Sequence, residues 1–273
     1  MRIAVIVTTY NRPDALLAVL NGYLAQTDLN FELIIADDGS CKKTQQVIDD
    51  FKLITPLKIT HVWHEDKGFR AAAIRNRAIL VTNADYIILT DGDCIPLPHF
   101  VASHRLLAEH GYFVSGNRIL ASQELTQQLL QATNQPYPIS AWHLKKWIVE
   151  RLKGRINRLL PLITLPKMMG KLRYLDAFRW QGAKTCNLGV WCTDLLTVNG
   201  LDEAYSGWGM EDSDLVIRLL HANILNKSGR CATPVLHLWH KENDRSGLQK
   251  NIEQLNELIA SNRIKAQIGL DRY

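Results

Sequence analysis

Residues 85–96 read Asp-Tyr-Ile-Ile-Leu-Thr-Asp-Gly-Asp-Cys-Ile-Pro, and this stretch decides the fold. Its first half is an apolar run rich in β-branched side chains, which predicts a buried strand over Tyr86–Thr90. The strand ends at two carboxylates, Asp91 and Asp93, separated by Gly92. Two acids this close repel each other unless a cation lies between them, and a glycine lets a ligand approach the backbone. The pattern therefore predicts a divalent metal that holds an anionic substrate such as a diphosphate.

The segments before this strand alternate between strand and helix patterns. Strands are predicted over Ile3–Thr9, Phe31–Ala36 and Leu57–Trp63, and helices over Pro13–Ala25, Lys42–Phe51 and Phe69–Val81. Repeated βα units predict an α/β fold with a mostly parallel central sheet and helices on both faces. Later in the chain, strands are predicted at Cys186–Trp191 and Pro234–Leu238, and helices at Asp212–His221 and Leu248–Ser261.

Composition predicts a globular protein that needs no disulfides and no membrane span. The chain is 47% hydrophobic and 22% charged, which is ordinary for globular domains. Its five cysteines include no Cys-x-x-Cys pair, so neither a disulfide framework nor a zinc site is predicted. No apolar run approaches the length of a membrane span, and Ile3–Val7 is too short for a signal-peptide core. We therefore expect a cytoplasmic protein.

Residues 119–180 interrupt the βα pattern and predict a basic helical insertion between a first half, 1–118, and a second half, 181–273. Nine Lys or Arg and one acid lie between positions 141 and 173, which leaves the rest of the chain net negative. Apolar residues recur there at helical spacing: Trp142, Leu144, Trp147, Ile148, Leu152, Ile156, Leu159 and Leu160. Such a helix either packs on the rest of the protein or lies on an anionic membrane surface. No nucleic-acid-binding motif accompanies the charge, so nucleic acid is not predicted as a partner.

Polar clusters follow two further predicted strands. They are Thr9-Tyr10-Asn11-Arg12 and Asp37-Asp38-Gly39-Ser40. Because ligands bind beyond the carboxyl ends of the strands in such sheets, we expect both clusters to meet the Asp91-Gly92-Asp93 motif there. The second cluster either forms a turn followed by a helix cap, or one of its carboxylates accepts a hydrogen bond from a base N–H such as uracil N3.

Three arginines belong to the helix predicted before the Asp91 strand. Arg70 lies near the helix start, where a guanidinium can pair with phosphate. Arg75 is one to two turns further along, which makes it a less direct candidate, and we expect Arg77 to be solvated.

A second motif reads Gly207-Trp208-Gly209-Met210-Glu211-Asp212-Ser213-Asp214. Acids at a helix start are favoured by the helix dipole, which accounts for one or two of them. Dipole capping does not account for Trp208 between two glycines, where a flat ring can face a sugar. We favour an acceptor site in which Asp212 serves as general base.

Two histidines at the end of a late strand are candidates for a further metal ligand. They are His237 and His240, and imidazole is a common ligand of divalent metals. Alternation along a strand puts them on opposite faces, so at most one reaches the metal while the strand persists.

These motifs, in this order, resemble those of family 2 glycosyltransferases of the GT-A fold. The resemblance covers roughly residues 1–118 and 181–245, and the second half is similar to the galactosyltransferase and chondroitin-polymerase branch. It implies a nucleotide-sugar site that contains Thr9, Tyr10, Arg12, Asp38, Arg70, Arg75, Asp91 and Gly92, with Asp38 on the base. It also implies that Asp93 ligates Mn²⁺ or Mg²⁺. The spacing from Gly229-Arg230-Cys231 favours His237 over His240 as a further ligand.

For the second half, the resemblance implies that Asp212 is the catalytic base and that Glu211 and Trp208 contact the acceptor. The expected reaction is inverting transfer from a nucleotide-diphosphate donor, usually a UDP-sugar, to a glycan or lipid-linked glycan hydroxyl. Bacterial surface polysaccharide or lipopolysaccharide synthesis is the expected setting, at the inner face of the membrane.

Two alternatives stay open at this stage. A haloacid-dehalogenase-type phosphatase would use Asp91 as nucleophile, although its motif normally lies near the start of the chain and would leave Asp38 and the Trp208 motif unexplained. A non-catalytic protein that binds sugar nucleotides would keep the pocket without the reaction.

Overall fold

A computed structural model describes residues 1–131, 142–162, 170–242 and 244–273 of the chain. The strands are β1 (Ile3–Thr9), β2 (Glu32–Asp37), β3 (Lys58–Trp63), β4 (Tyr86–Asp91), β5 (Cys94–Pro96), β6 (Tyr112–Ser115), β7 (Asn117–Leu120), β8 (Asn187–Trp191), β9 (Leu225–Ser228) and β10 (Pro234–His237). The helices are α1 (Pro13–Leu24), α2 (Lys42–Ile54), α3 (Ala71–Leu80), α4 (Phe100–Leu107), α5 (Gln123–Gln131), α6 (Leu144–Leu152), α7 (Cys192–Thr197), α8 (Glu211–His221) and α9 (Leu248–Ile259).

A seven-stranded sheet in the order β3-β2-β1-β4-β8-β6-β9 forms the centre of the protein. The strands β3, β2, β1 and β4 are parallel neighbours. Only β8 runs against its neighbours β4 and β6 within this sheet, so the prediction of a mostly parallel sheet is confirmed. A smaller sheet in the order β5-β10-β7 lies beside it, with β10 antiparallel to β5 and parallel to β7.

Alternation along β1 explains why helices cover both faces of the sheet. Val5 and Val7 belong to one apolar core, which contains Leu16 of α1. Ala4 and Ile6 belong to a second core with α3 and α8. Successive side chains of a strand point to opposite faces, so a strand that is apolar at every position must be covered twice.

The long elements of the first half lie within a few residues of their predicted bounds. The short strands β5, β6, β7 and β9 and the helices α4 and α7 were not predicted. Strands of three or four residues give too few alternations for a periodic signal. They matter for function, because β5 and β10 bring two distant parts of the sequence together.

The segment 119–180 contains more than helix. Its described residues hold part of β7, the helices α5 and α6, and an isolated bridge between Ala121 and Ile156. Residues 132–141 and 163–169 lie outside the described structure. The predicted boundaries at 118 and 180 remain predictions.

The predicted apolar face of this segment divides into two groups. Trp147 and Ile156 are buried in the main core, and Trp142 and Leu159 pack partly against it. Leu144, Ile148, Leu152 and Leu160 are exposed. The packing alternative thus accounts for the buried part of the face, and contact with a membrane stays a prediction for the exposed part. Among the described residues, no helix has both the length and the apolar content to cross a bilayer.

Candidate active site

The loops after β2 and β4 are attached to the end of β1. The Asp38 N–H donates to the Thr9 carbonyl at 2.9 Å, and the Gly92 N–H donates to the Thr8 carbonyl at 2.7 Å. A Cβ at Gly92 would lie 3.0 Å from the side chain of Thr9, so this glycine allows β1 and β4 to end in close contact. The three polar clusters therefore meet at one edge of the sheet, as expected from the parallel order.

Asp38 is buried at the floor of this edge and is held by two donors. His64 Nε2 lies 2.6 Å from Asp38 Oδ1, and the Arg70 N–H donates to Oδ2 at 2.9 Å. Burial raises the pKa of Asp38, against the hydrogen bonds from Arg70 and His64, which lower it. The arrangement fixes both oxygens of the carboxylate relative to β3 and α3.

Sequence reasoning missed two residues that follow β3. They are His64, which contacts Asp38, and Asp66, which accepts a hydrogen bond from the Tyr10 hydroxyl at 2.8 Å. Since β3 is parallel to β2, its carboxyl end meets the same edge of the sheet. The rule that identified the other clusters applies equally to His64-Glu65-Asp66.

Two of the predicted arginines contact protein groups near the rim. Arg12 Nε donates to Asp14 at 3.0 Å, and the Arg70 guanidinium donates to the Glu65 carbonyl. Both side chains are partly accessible, and both guanidinium groups already have protein partners, so their binding of a nucleotide sugar stays a prediction.

Arg75 lies at the centre of the site, contrary to its lower rank in the sequence. It is buried, with Nε donating to Thr8 Oγ1 at 2.8 Å and Nη2 donating to Asp91 Oδ1 at 2.9 Å. Its Nη1 lies 3.7 Å from Glu211 Oε1. One guanidinium thus joins β1, β4 and the start of α8. Arg77, which we expected to be solvated, lies 5.3 Å from the centre of the Tyr273 ring.

Two imidazoles and a thiol surround Asp93. Its carboxylate oxygens lie 3.7 Å from His237 Nε2, 3.5 Å from His240 Nε2 and 3.6 Å from Cys94 Sγ. In the β5–β10 pair, His237 lies directly opposite Cys94. Because β10 ends at His237, alternation no longer governs His240, and both histidines reach the same carboxylate. The expectation that at most one would do so depended on a longer strand.

This group fits a divalent cation. Ligand atoms of Asp93, Cys94 and His237 all lie within 4.8 Å of one another, and His240 is equally close to Asp93. Burial lowers the pKa of His237, which favours the neutral imidazole that metals bind. A carboxylate with imidazoles suits manganese and its first-row neighbours.

The acidic motif forms the first turn of α8, which begins at Glu211. The preceding Met210 has φ of 76°, and Gly207 and Gly209 also have positive φ. Asp212 Oδ1 accepts a hydrogen bond from the Thr185 hydroxyl at 2.6 Å. Strained backbone of this kind is common at functional sites. Here it precedes the first residue of α8, Glu211, which lies next to Arg75.

Two carboxyl groups of the site have raised pKa values. Burial raises the pKa of Asp91 to about 6, although Arg75 lowers it and the charges of Asp93 and Asp212 raise it further. Burial, together with the charge of Asp212, raises the pKa of Glu211 to about 7. The acids of β4 and of α8 therefore act on one another, as expected of groups in a single site.

Trp208 lies between Gly207 and Gly209, and its contact with an acceptor stays a prediction. The Arg245 guanidinium lies 5.2 Å from the ring centre. Arg118 on β7 is a further residue that the sequence did not indicate; it lies close enough to Asp91 and Asp212 to interact with their charges.

Known families match both parts of the chain. Residues 4–168 match the family described as "Glycosyl transferase family 2", which is more than half of the chain. The chain belongs to this family. Residues 173–241 match a second family, described as "N-terminal domain of galactosyltransferase". The first match extends beyond residue 118, where the recognisable motifs of the first half end. Membership of a glycosyltransferase family decides against the phosphatase alternative.

Curated relatives of this family 2 member have related names. Validoxylamine A glucosyltransferase of Streptomyces hygroscopicus subsp. limoneus is 27% identical over 232 residues, covering 81% of this chain and 48% of that protein. Chondroitin synthase of Escherichia coli is 25% identical over 237 residues, covering 80% of this chain and 32% of that protein. The chain thus spans about half or less of the length of these relatives.

Solved structures confirm the GT-A fold. The S. aureus TarS fragment 1–349 in complex with UDP aligns with a TM-score of 0.62 at 14% identity, covering 100% of this chain and 68% of that one. The mannosyltransferase PcManGT from Pyrobaculum calidifontis, in complex with GDP-Man and Mn²⁺, aligns with a TM-score of 0.61 at 15% identity, covering 95% and 63%.

Proposed function

We propose that this family 2 glycosyltransferase moves a sugar from a UDP-sugar to a hydroxyl of a glycan or lipid-linked glycan, with inversion at the anomeric carbon. The observation that carries the proposal is the position of Arg75, 2.9 Å from Asp91 and 3.7 Å from Glu211. It joins the end of β4, where a metal and diphosphate are expected, to the start of α8, where a base and an acceptor are expected.

Asp38 would bind the base of the donor. A carboxylate has about four lone-pair positions, and His64 and the Arg70 N–H use two of them. The remaining positions can accept the N3–H of uracil, and the fixed carboxylate needs no rearrangement to do so. Thr9, Tyr10 and Arg12 would line the same pocket, and the complex of TarS with UDP supports a uridine donor.

Asp93, His237 and His240 would hold Mn²⁺ or Mg²⁺, and Asp91 would contact the metal or the ribose. A bound cation would neutralise the charge that develops on the departing diphosphate. Arg70 would assist at the phosphates. Arg75 would instead keep Asp91 in place, because its guanidinium is buried between carboxylates.

Asp212 would take the proton of the acceptor hydroxyl. Thr185 engages Oδ1, so Oδ2 is the oxygen that can accept this proton. The acceptor oxygen then forms its bond to the anomeric carbon while the bond from that carbon to the diphosphate oxygen breaks. One displacement inverts the configuration. Glu211 and Trp208 would position the acceptor sugar.

The acceptor class and the biological setting rest on similarity and on charge. Chondroitin synthase of E. coli supports a glycan acceptor, and bacterial surface polysaccharide or lipopolysaccharide synthesis is the corresponding setting. A lipid-linked acceptor would bring the enzyme from the cytoplasm to the inner face of the membrane.

The test is a panel of UDP-sugars, with GDP-mannose as the alternative donor, in Mn²⁺ and in EDTA. Thermal unfolding reports binding, because a ligand at about 100 times its Kd stabilises the native state by roughly 2.7 kcal/mol. We expect one UDP-sugar to stabilise the protein only with Mn²⁺, and Asp93→Ala to abolish that effect. Asp50→Ala, which removes an exposed carboxylate from α2, is the matched control.

Transfer to glycan acceptors is measured on the same samples by the release of UDP. A protein that binds a UDP-sugar and transfers it to no glycan tested would support the non-catalytic alternative. If the UDP-sugar stabilised the protein equally in EDTA and in Mn²⁺, donor binding would not require a metal.

A further inference from the structure

Helix α6 exposes an apolar stripe to solvent. Leu144, Ile148 and Leu152 recur every fourth residue and are 59%, 39% and 82% exposed. Val149, at the edge of the stripe, is 41% exposed. Single exposed leucines are ordinary on protein surfaces, whereas a continuous row along one helix marks a contact surface.

The opposite side of α6 is fixed to the protein. Trp147 is buried in the main core. Glu150 is fully buried and lies 2.9 Å from Lys146 and 3.3 Å from Arg155. The stripe is therefore presented by a docked helix, and the helix needs no partner in order to fold.

Positive charge surrounds the stripe. At 100° per residue, Arg151 lies on one margin of the exposed face, Lys146 and Lys153 lie on the other, and Lys145 lies between them. All four are exposed. The one acid of the helix is Glu150, which is buried and paired. The exposed face of α6 thus carries apolar side chains and cations without an exposed carboxylate.

We propose that α6 docks this enzyme on an anionic lipid bilayer. Leu144, Ile148 and Leu152 enter the boundary between headgroups and acyl chains, and the basic residues contact lipid phosphates. An interfacial helix of this kind combines buried apolar area with attraction to anionic lipid. The long side chain of Lys145 can lie along the apolar surface and still place its ammonium at the headgroups.

The docked surface is connected to the metal group through the backbone. The Ala121 N–H donates to the His237 carbonyl at 2.9 Å, and Ala121 forms a bridge with Ile156, just after α6. The Asn157 N–H donates to the Leu120 carbonyl at 3.2 Å. Docking therefore places the edge that holds His237 near the bilayer. Docking of α6 on a bilayer does not depend on the proposed sugar transfer.

The experiment is co-sedimentation of the full chain with phosphatidylcholine vesicles that contain or lack phosphatidylglycerol. Lys145→Gln/Arg151→Gln/Lys153→Gln removes charge but keeps Lys146, which pairs with buried Glu150. Since each basic residue near the surface is worth about 1 kcal/mol, or roughly fivefold, we expect ~100-fold weaker partitioning. A second variant, Ile148→Gln/Leu152→Gln, keeps the charges and removes apolar area.

The matched control is Lys42→Gln/Lys43→Gln/Leu53→Gln on α2, where the same residue types are exposed. The proposal requires binding to the anionic vesicles that both α6 variants weaken, that the control retains, and that rising salt reduces. Absence of vesicle binding at low salt overturns it. Binding of the second variant to anionic vesicles as tightly as the wild type also overturns it, because the basic residues would then bind any polyanion. Binding of the protein to heparin would show this directly. UDP-sugar binding, measured in parallel, reports the donor site separately.

Discussion

The first turn of α8 carries carboxylates in two contrasting environments. Asp214 points into a buried ion network, in which Arg218 Nε lies at 2.5 Å and the Tyr205 hydroxyl at 3.2 Å. Glu211 and Asp212, three and two residues earlier, face the candidate active site. Among the described residues, the nearest cation to Glu211 is Arg75 at 3.7 Å, and Asp212 accepts its hydrogen bond from a neutral hydroxyl.

The difference shows how one helix serves both stability and function. The carboxylate of Asp214 has its partners within hydrogen-bond distance, with Arg263 adding a second cation at 3.5 Å. Glu211 and Asp212 have fewer close side-chain contacts among the described residues, to Arg75 at 3.7 Å and to Thr185 at 2.6 Å. They therefore retain capacity to bind a proton or a substrate. We therefore expect substitutions in the two groups to affect different measurements.

The largest expected effect is on turnover. Asp212→Asn keeps the shape of the side chain but removes the proposed proton acceptor, and general-base catalysis contributes about 10²–10⁴-fold. We expect a loss of this size in sugar transfer, with unchanged thermal stability and unchanged UDP-sugar binding. Asp50→Asn on α2 is the control. Near-normal turnover of Asp212→Asn would exclude Asp212 as the base.

The second effect is on folding. Asp214→Asn leaves Arg218, which is fully buried, without its counter-charge, and breaking a buried pair from one side typically costs about 3–5 kcal/mol. Urea denaturation should show this loss, while the folded fraction keeps its turnover. Removing both charges in Asp214→Asn/Arg218→Met should recover part of the stability. A single variant as stable as the wild type would contradict the contrast between the two groups.

The smallest expected effect is on the pH dependence of stability. The folded-state pKa of Glu211 is about 7, above its ordinary value of 4.5. Below the ordinary value both states are protonated. As pH rises from there to about 7, the unfolded chain releases its proton first, so stability falls, by up to about 3 kcal/mol for a shift of this size. Glu211→Gln should lack this fall.

Urea midpoints of wild type and Glu211→Gln at about pH 5 and about pH 8 measure the difference. The raised pKa of Asp91 lowers the stability of both proteins in the same way as pH rises. The difference between the two proteins therefore reports the contribution of Glu211. Parallel pH profiles would show that the neighbouring Arg75 compensates the charge of Glu211 fully.

The sequence predicted the parallel half of the sheet because β1 to β4 are long and apolar, with polar residues directly after them. It could not predict that β5 pairs with β10, since the three residues of β5 are too few to show a strand period. That pairing brings His237 and His240 to Asp93. The central place of Arg75 was equally inaccessible, because its three contacts come from three separate elements.

One distinction within the acidic motif was available in the sequence. Asp214 and Arg218 are four residues apart, which is the spacing of an ion pair along a helix. Asp212 has no such partner at position 216, which is Val216. Grouping the three acids as one cluster therefore overlooked a signal that separates Asp214 from the residues of the site.

The position of β8 constrains how the chain can be synthesised. β8 lies between β4 and β6, yet it follows β4 by almost a hundred residues. Until Asn187–Trp191 leaves the ribosome, β4 presents an open edge on an apolar sheet. Such edges pair readily with other chains, and incomplete folding intermediates aggregate by this route. Polypeptides truncated between β4 and β8 should therefore depend on chaperones more strongly than those that extend beyond β8.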